Sequence, residues 1–282
     1  MSGGSSVIAN PQLAGGCFVS VEGHRMHVFR AGDKSRPRLV FLSGSGTVAP
    51  ALDFKILYEK LQDQFRIIAI EKFGYGYSDL YEGPCDIDSV ISFYRQALEA
   101  AGEQGPFVLL PHSMSGLEAI RWKQLNPEEI RAIIGLDMAV PASYAAWDEA
   151  EVQKRVGLMR RMRRLKRCGL LFWHRLSKDG LTLEEFREKR RLWKRNFMNP
   201  CFENEGRIVL QNVRTVAEGG SISCPVMMFV SDGKFYPGWI DAEHAFAEQV
   251  DAEMICLNCG HYIHHFESER ISQEIRTFMA RI

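Results

Sequence analysis

Leu110-Pro111-His112-Ser113-Met114-Ser115-Gly116 is the stretch on which the fold is decided. It follows a short apolar run, Phe107-Val108-Leu109-Leu110, and precedes a segment with a helical pattern from Gly116 to about Leu125. A strand that turns sharply into a helix lifts the residue at the apex out of the backbone. A Ser there presents its hydroxyl above the sheet, and the N–H of the following residue can face an oxyanion. So tight a turn needs small residues two before and two after the apex. Pro111 and Ser115 hold those places.

The surrounding chain alternates buried strands with helices. Phe18-Val19-Ser20-Val21 and Met26-His27-Val28-Phe29, joined through Glu22-Gly23-His24, read as an opening hairpin. Leu39-Val40-Phe41-Leu42 is a continuous apolar run that ends in the Gly-rich loop Ser43-Gly44-Ser45-Gly46-Thr47. The pattern predicts a helix over 53–61 and a strand at Phe65-Arg66-Ile67-Ile68-Ala69-Ile70. A second helix is predicted over 87–101, leading to the elbow. Beyond the elbow helix, Ala132-Ile133-Ile134-Gly135-Leu136 is a strand ending in Asp137. Pro225 to Val230 is another, ending in Ser231-Asp232-Gly233-Lys234. Ala252 to Leu257 is the last, with Cys256 expected to close a buried strand, and it runs into Asn258-Cys259-Gly260-His261. A final helix covers roughly 268–281. Such alternation implies parallel strands with right-handed crossovers, and ligands bind beyond the carboxyl ends of those strands. The Ser43 loop and Ser113 both fall there.

The elbow resembles that of the alpha/beta-hydrolases, whose common form is Gly-His-Ser-Met-Gly-Gly. Glu71-Lys72-Phe73-Gly74-Tyr75-Gly76-Tyr77-Ser78-Asp79 is similar, almost position by position, to that family's Asp-Arg-x-Gly-x-Gly-x-Ser-Asp loop. Gly260-His261 after the last strand matches the family's His position. The resemblance implies a mostly parallel central sheet flanked by helices, with an inserted helical cap. It implies the chain order nucleophile, acid, base. Ser113 is then the nucleophile and His261 the general base. The acid is Asp137 at the end of the strand after the elbow helix, with Asp232 as the alternative. Ser45, matched to the family's His-Gly-x loop, and Met114 supply the oxyanion donors. His264 and His265 share the His261 loop and are expected to line the site or lie on the surface.

The implied organisation is a loose tail over 1–16, a core over 17–137 and 221–282, and a cap over 138–220. Residues 141–220 hold 18 Lys/Arg against 10 Asp/Glu. The expected basic helix near 154–167 carries Leu158, Met162 and Leu165 as one apolar stripe seated on the body, with a solvated basic face. An anionic substrate, or an anionic membrane surface met with the help of Leu170-Leu171-Phe172-Trp173, are the other readings of that face. Thr182-Leu183-Glu184-Glu185 is a capping box that opens a helix to about Phe197, and a third cap helix is expected over 204–217.

The chain has 282 residues, 46% of them apolar and 25% charged, with 35 Lys+Arg balancing 35 Asp+Glu. Zero net charge gives no bias toward nucleic acid. No run of about 18 apolar residues occurs, so no membrane span is expected. The Gly- and Ser-rich start lacks the basic and apolar blocks of a secretory signal. Seven scattered cysteines suit reduced thiols in a cytoplasm. Cys256 and Cys259 form a C-x-x-C without a second pair, which is little basis for a metal or redox site. The function expected is hydrolysis of a small-molecule carboxylic ester or related acyl compound, with no metal or organic cofactor. The competing reading is a hydrolase-fold protein that binds a ligand or partner with little turnover, motivated by Pro111, Ser115, Ser43 and Lys234 at altered positions. The sequence leaves the oligomeric state open.

Overall fold

The computed structural model describes residues 15–170, 176–234 and 236–282. Eight strands form one sheet: β1 (Gly16–Val21), β2 (His24–Ala31), β3 (Arg38–Leu42), β4 (Arg66–Glu71), β5 (Phe107–Ser113), β6 (Ile130–Met138), β7 (Val226–Val230) and β8 (Glu253–Cys256). Their order is β1-β2-β4-β3-β5-β6-β7-β8. β1 and β2 are antiparallel to their neighbours, and every pairing from β4 to β8 is parallel. The carboxyl ends of β3, β5, β6 and β7 therefore reach one edge, bringing the Ser43 loop, Ser113, Asp137 and Ser231 together.

Period-two alternation divides the strand side chains between two layers. Val40, Ile68 and Leu109 point to one face with Ile91, Tyr94 and Leu98 of the helix Ile87–Ala100. Leu39, Phe41 and Val108 point to the other with Leu57, Ile271 and Ile275. Burying each such side chain contributes roughly 1.5 to 3 kcal/mol.

Eleven α-helices are present among the described residues. They are α1 (Pro50–Asp53), α2 (Lys55–Tyr58), α3 (Ile87–Ala100), α4 (Ser115–Leu125), α5 (Glu149–Arg167), α6 (Leu183–Asn196), α7 (Pro200–Arg207), α8 (Val209–Glu218), α9 (Trp239–Val250), α10 (Ile263–Phe266) and α11 (Ser268–Met279). α5 to α8 lie between β6 and β7 and form the helical cap. Thr182 and Glu185 make the expected capping box, with each side chain bonded to the other residue's backbone N–H.

The cap grips the Gly74 to Ser78 loop by its carbonyls. Asn199 Nδ2 donates to Gly74 O at 2.6 Å, Asn196 Nδ2 to Gly76 O at 2.7 Å, and Arg195 Nη2 to Ser78 O at 2.9 Å. The turn at Gly76 takes φ 47° and lies so close to the Glu71 carboxylate that an added Cβ would come within 1.9 Å of it. Glu71 and Lys72 do not pair with each other. Glu71 accepts from Tyr77 N at 2.7 Å and contacts His27 Nδ1 at 2.9 Å, while Lys72 turns to Glu118 at 2.9 Å and to Glu205 of the cap.

Five expectations are corrected. The helix expected over 53–61 is two short helices, because Phe54 turns into the core at their junction. The helix expected over 204–217 is α7 and α8, broken at Ile208, and α7 starts earlier because Asn199 caps it and Pro200 occupies its first turn. Cys256 is exposed, since β8 is an edge strand. Leu158 and Leu165 are exposed, because α5 seats Val152 and Val156 instead. Gly16 already opens β1, so it is not part of a tail. Residues 1–14 and Leu171-Phe172-Trp173 of the proposed membrane-contact stretch lie outside the described residues. Among the described residues no helix is long and apolar enough to cross a membrane.

Candidate active site

Ser113 ends β5 at φ 56°, in the left-handed region that an L-residue seldom occupies. The strain is held by what surrounds the turn. Ser113 O accepts from Ala139 N at 2.7 Å. Ser115 Oγ is buried and bonded to Leu42 O at 2.8 Å and to His112 O at 2.9 Å. The hydroxyl at the second outer position thus ties the elbow to β3. Gly44 completes the packing: a Cβ there would come within 2.5 Å of the Ser113 Cβ.

Ser113 Oγ lies 2.9 Å from His261 Nε2, and His261 Nδ1 lies 2.5 Å from Asp137 Oδ2. Asp137 is fully buried at the end of β6, at φ 49°, and its Oδ1 accepts from Ser231 N at 2.7 Å. The three side chains therefore form one hydrogen-bonded row across the carboxyl ends of β5 and β6 and the loop after β8. Asp232 lies apart from this row. Its Oδ2 accepts from Lys234 Nζ at 2.8 Å, and the hydrogen bonds from Lys234 hold its carboxyl below the ordinary range.

Aromatic and imidazole rings surround the His261 ring. Trp239 of α9 meets the His261 ring edge to face at 5.5 Å, and His112 lies 4.8 Å away on another side. Burial, then the neighbouring His261, pushes His112 down to about 3. His112 is thus neutral near pH 7. Its Nε2 carries the proton, since its partner at 3.2 Å is the His261 carbonyl oxygen, which can only accept. His264 is buried against Phe54 and His112, and burial holds it far below the ordinary imidazole range. His265 sits 3.7 Å from Asp53, whose carboxylate also pairs with Lys189 of the cap. His112 belongs to the elbow motif itself, whereas Trp239 and the Ser231 N–H carry no sequence signal of a role at the site. Only the folding of the chain around the sheet brings those two there.

Two cavities meet at this row. One, about 360 Å³, is lined by Ser113, Met114 and His261 below and by Met159, Met198 and Phe202 of the cap region above. The other, about 560 Å³, reaches Asp53, Lys189 and Asp179. Ser45, Gly46, His261 and Tyr262 line both. Ser45 follows β3 and Met114 precedes α4, so both expected oxyanion donors border the cavity that holds the Ser113 hydroxyl. Gly46 N donates to Tyr75 Oη at 3.3 Å, which braces the loop that carries Ser45. Among the described residues no group of three or more His, Cys, Asp or Glu could hold a metal ion.

Residues 37–167 match the family model of the alpha/beta hydrolase fold. Over 139 residues the chain is 40% identical to the uncharacterized protein YbdG of Bacillus subtilis (strain 168), a match spanning 49% of this chain and 42% of that one. The chain thus covers less than half the length of that curated relative. The structure is similar to that of Cfl2 from Burkholderia cenocepacia, at a TM-score of 0.75 and 22% identity over 93% of this chain and 95% of that one. It is also similar to a loop variant of the haloalkane dehalogenase DbeA from Bradyrhizobium elkanii, at a TM-score of 0.70 and 16% identity over 94% and 96%. The sheet order, the cap and these likenesses define the class, an alpha/beta-hydrolase fold. The chain has the alpha/beta-hydrolase fold, and its residues 37–167 match that family's model.

Proposed function

We propose that the protein is a serine hydrolase that cleaves a carboxylic ester or related acyl compound. The observation that carries this reading is the row Ser113 Oγ, His261 Nε2, His261 Nδ1, Asp137 Oδ2, opening onto a cavity of about 360 Å³. A Ser hydroxyl is a weak nucleophile at neutral pH and needs a base, and the base needs a carboxylate to orient it. Ser113 Oγ attacks the carbonyl carbon while its proton passes to His261 Nε2. The N–H groups of Met114 and Ser45 stabilise the oxyanion, each worth roughly 3 kcal/mol in the transition state. The imidazolium, stabilised by Asp137, returns the proton to the leaving alkoxide. Water then gives a proton to His261 and attacks the acyl-enzyme, releasing the acid and restoring Ser113.

Haloalkane dehalogenation does not carry over from the similar structure, because it requires a carboxylate nucleophile and the apex here is Ser113. No step requires a metal or organic cofactor. The division proposed is a core of 16–137 and 221–282 under a cap of 138–220, acting on small molecules in the cytoplasm. The test pairs a fluorophosphonate probe with short p-nitrophenyl esters. Labelling and turnover are both expected, and both are expected to vanish in Ser113→Ala. A wild-type protein that neither labels nor turns over esters overturns the catalytic reading in favour of a ligand-binding one.

A further inference from the structure

The cavity above Ser113 has walls of Met, Leu, Phe, Val and aromatic side chains, which suit the apolar body of an acyl group. Among its described lining residues one side chain carries a permanent charge, Arg155 of the cap helix α5. An arginine is not needed to wall an apolar pocket, and this one is held in a set orientation. Its guanidinium carbon lies 4.0 Å from the ring centroid of Trp147 and 5.2 Å from that of Tyr236. Nε donates to Glu151 Oε1 at 2.7 Å, and Nη1 donates to Tyr236 Oη at 3.1 Å. Nη2 has no acceptor among the described residues.

Charge follows the same direction. Glu151 does not neutralise Arg155 alone, because it also accepts from the exposed Lys154 at 3.3 Å. Lys154, Glu151 and Arg155 together keep a net positive charge. A guanidinium stays ionised at any pH at which the protein folds, and its planar fork matches a carboxylate. Contact with the two rings and the hydrogen bonds to Glu151 and Tyr236 hold the fork before a ligand arrives, so little freedom is lost on binding.

We infer that Arg155 is a specificity-determining residue, and that the substrate's acyl part is an apolar chain ending in a carboxylate, as in a half-ester of a dicarboxylic acid. This rests on Ser113 as the nucleophile, because the cavity that Arg155 enters is the one that opens on Ser113.

The experiment compares p-nitrophenyl half-esters of dicarboxylic acids, from glutaric to suberic, with p-nitrophenyl esters of monocarboxylic acids of equal chain length. At the best length, kcat/KM is expected to favour the half-ester by about tenfold or more, the usual effect of one charge-assisted hydrogen bond. The ratio is expected to fall to near one in Arg155→Met and to an intermediate value in Arg155→Lys, which keeps the charge without the fork. A wild-type ratio near one at every length overturns the inference, as does a ratio unchanged in Arg155→Met. A second arm needs no turnover. Calorimetry of Ser113→Ala with the ethyl half-esters and the matched ethyl esters is expected to show the same preference, lost in Ser113→Ala/Arg155→Met. Preferential binding in that arm, with no labelling or hydrolysis by the wild-type protein, supports the anion site and sinks the nucleophile reading. Labelling and hydrolysis without the preference does the reverse.

Discussion

At the scale of single residues, the two candidate acids are separated by burial and by partner. Asp137 is fully buried, 2.5 Å from His261 Nδ1, with its second oxygen on the Ser231 N–H. Asp232 turns to Lys234, which is largely exposed. A buried carboxylate beside the base fixes the imidazole tautomer and stabilises the imidazolium that forms in the transition state. Removing its charge while keeping its shape should therefore cost several orders of magnitude in kcat, roughly 10⁴ by the precedent of buried triad acids. Asp137→Asn is expected to lose that much in ester hydrolysis, measured with kcat and KM separated. Asp232→Asn is expected to stay within about threefold of wild type, because an exposed ion pair contributes little. The reverse ranking would move the acid to the loop after β7. The elbow at Ser113 was legible in the sequence because it is a tight turn at the end of an apolar run, and His261 was placed by its match to the family's Gly-His position. Asp137 was legible only through resemblance, since many buried strands end in an Asp with no chemistry. Arg155 was not legible at all: it is one of many cations on a basic helix, and only docking of the cap decides which one meets the cavity.

At the scale of elements, the cap is tied to the core through buried charge. Lys72 follows β4 and reaches Glu118 of α4, the helix that the elbow opens, at 2.9 Å, and also Glu205 of α7. Tyr75 Oη donates to the second oxygen of Glu205 at 2.6 Å and accepts from Gly46 N at 3.3 Å. Tyr94 Oη donates to Glu118 at 2.7 Å. One ammonium thus serves two carboxylates in a site where Lys72 and Glu118 are both buried. Burial pushes the Glu118 carboxyl upward, and Lys72 opposes that rise. Lys72→Met would leave two carboxylates facing each other without a cation. A loss of roughly 3 to 5 kcal/mol in unfolding free energy is expected by urea denaturation, because one partner of a buried ion pair is removed. A loss below about 1 kcal/mol would mean that water already reaches the network. The Gly-Tyr-Gly-Tyr-Ser-Asp stretch was recognisable as structural through its resemblance to the family's loop. Its purpose, presenting carbonyls and Tyr75 to the cap, was hidden because the partners Asn196, Asn199 and Glu205 lie more than a hundred residues away in the chain. The strands were legible because apolar runs bounded by Gly and Pro have few alternatives. Two helices were misjudged where the helix breaks at a single apolar residue, Phe54 or Ile208, inside a continuous helical pattern, a choice made by tertiary packing rather than by propensity.

At the scale of the whole molecule, buried titratable groups around the candidate site bound the pH range in which the fold is stable. His112 is held down to about 3 by burial and by His261, and His264 well below its ordinary range by burial. Both are neutral in the fold and take up a proton on unfolding once the pH drops below about 6.5. Stability is therefore lost on the acid side as pH falls from there toward the folded values. Glu243 acts on the other side. It is fully buried on α9, and burial together with the neighbouring Asp137 pushes its carboxyl up to about 10. The folded protein keeps that proton, whereas the unfolded chain releases it above about pH 4.5. The unfolded state then binds fewer protons, so stability falls as pH rises from about 4.5 to about 10. Gln is close in shape to a protonated Glu and cannot ionise. Glu243→Gln should therefore match wild type in Tm near pH 4.5 and exceed it by a margin that widens up to about pH 9, followed by thermal unfolding in buffers of constant ionic strength. A margin that is flat across the range, or one that favours wild type at alkaline pH, would show that Glu243 is ionised in the folded protein and that the charge behind Asp137 is two rather than one.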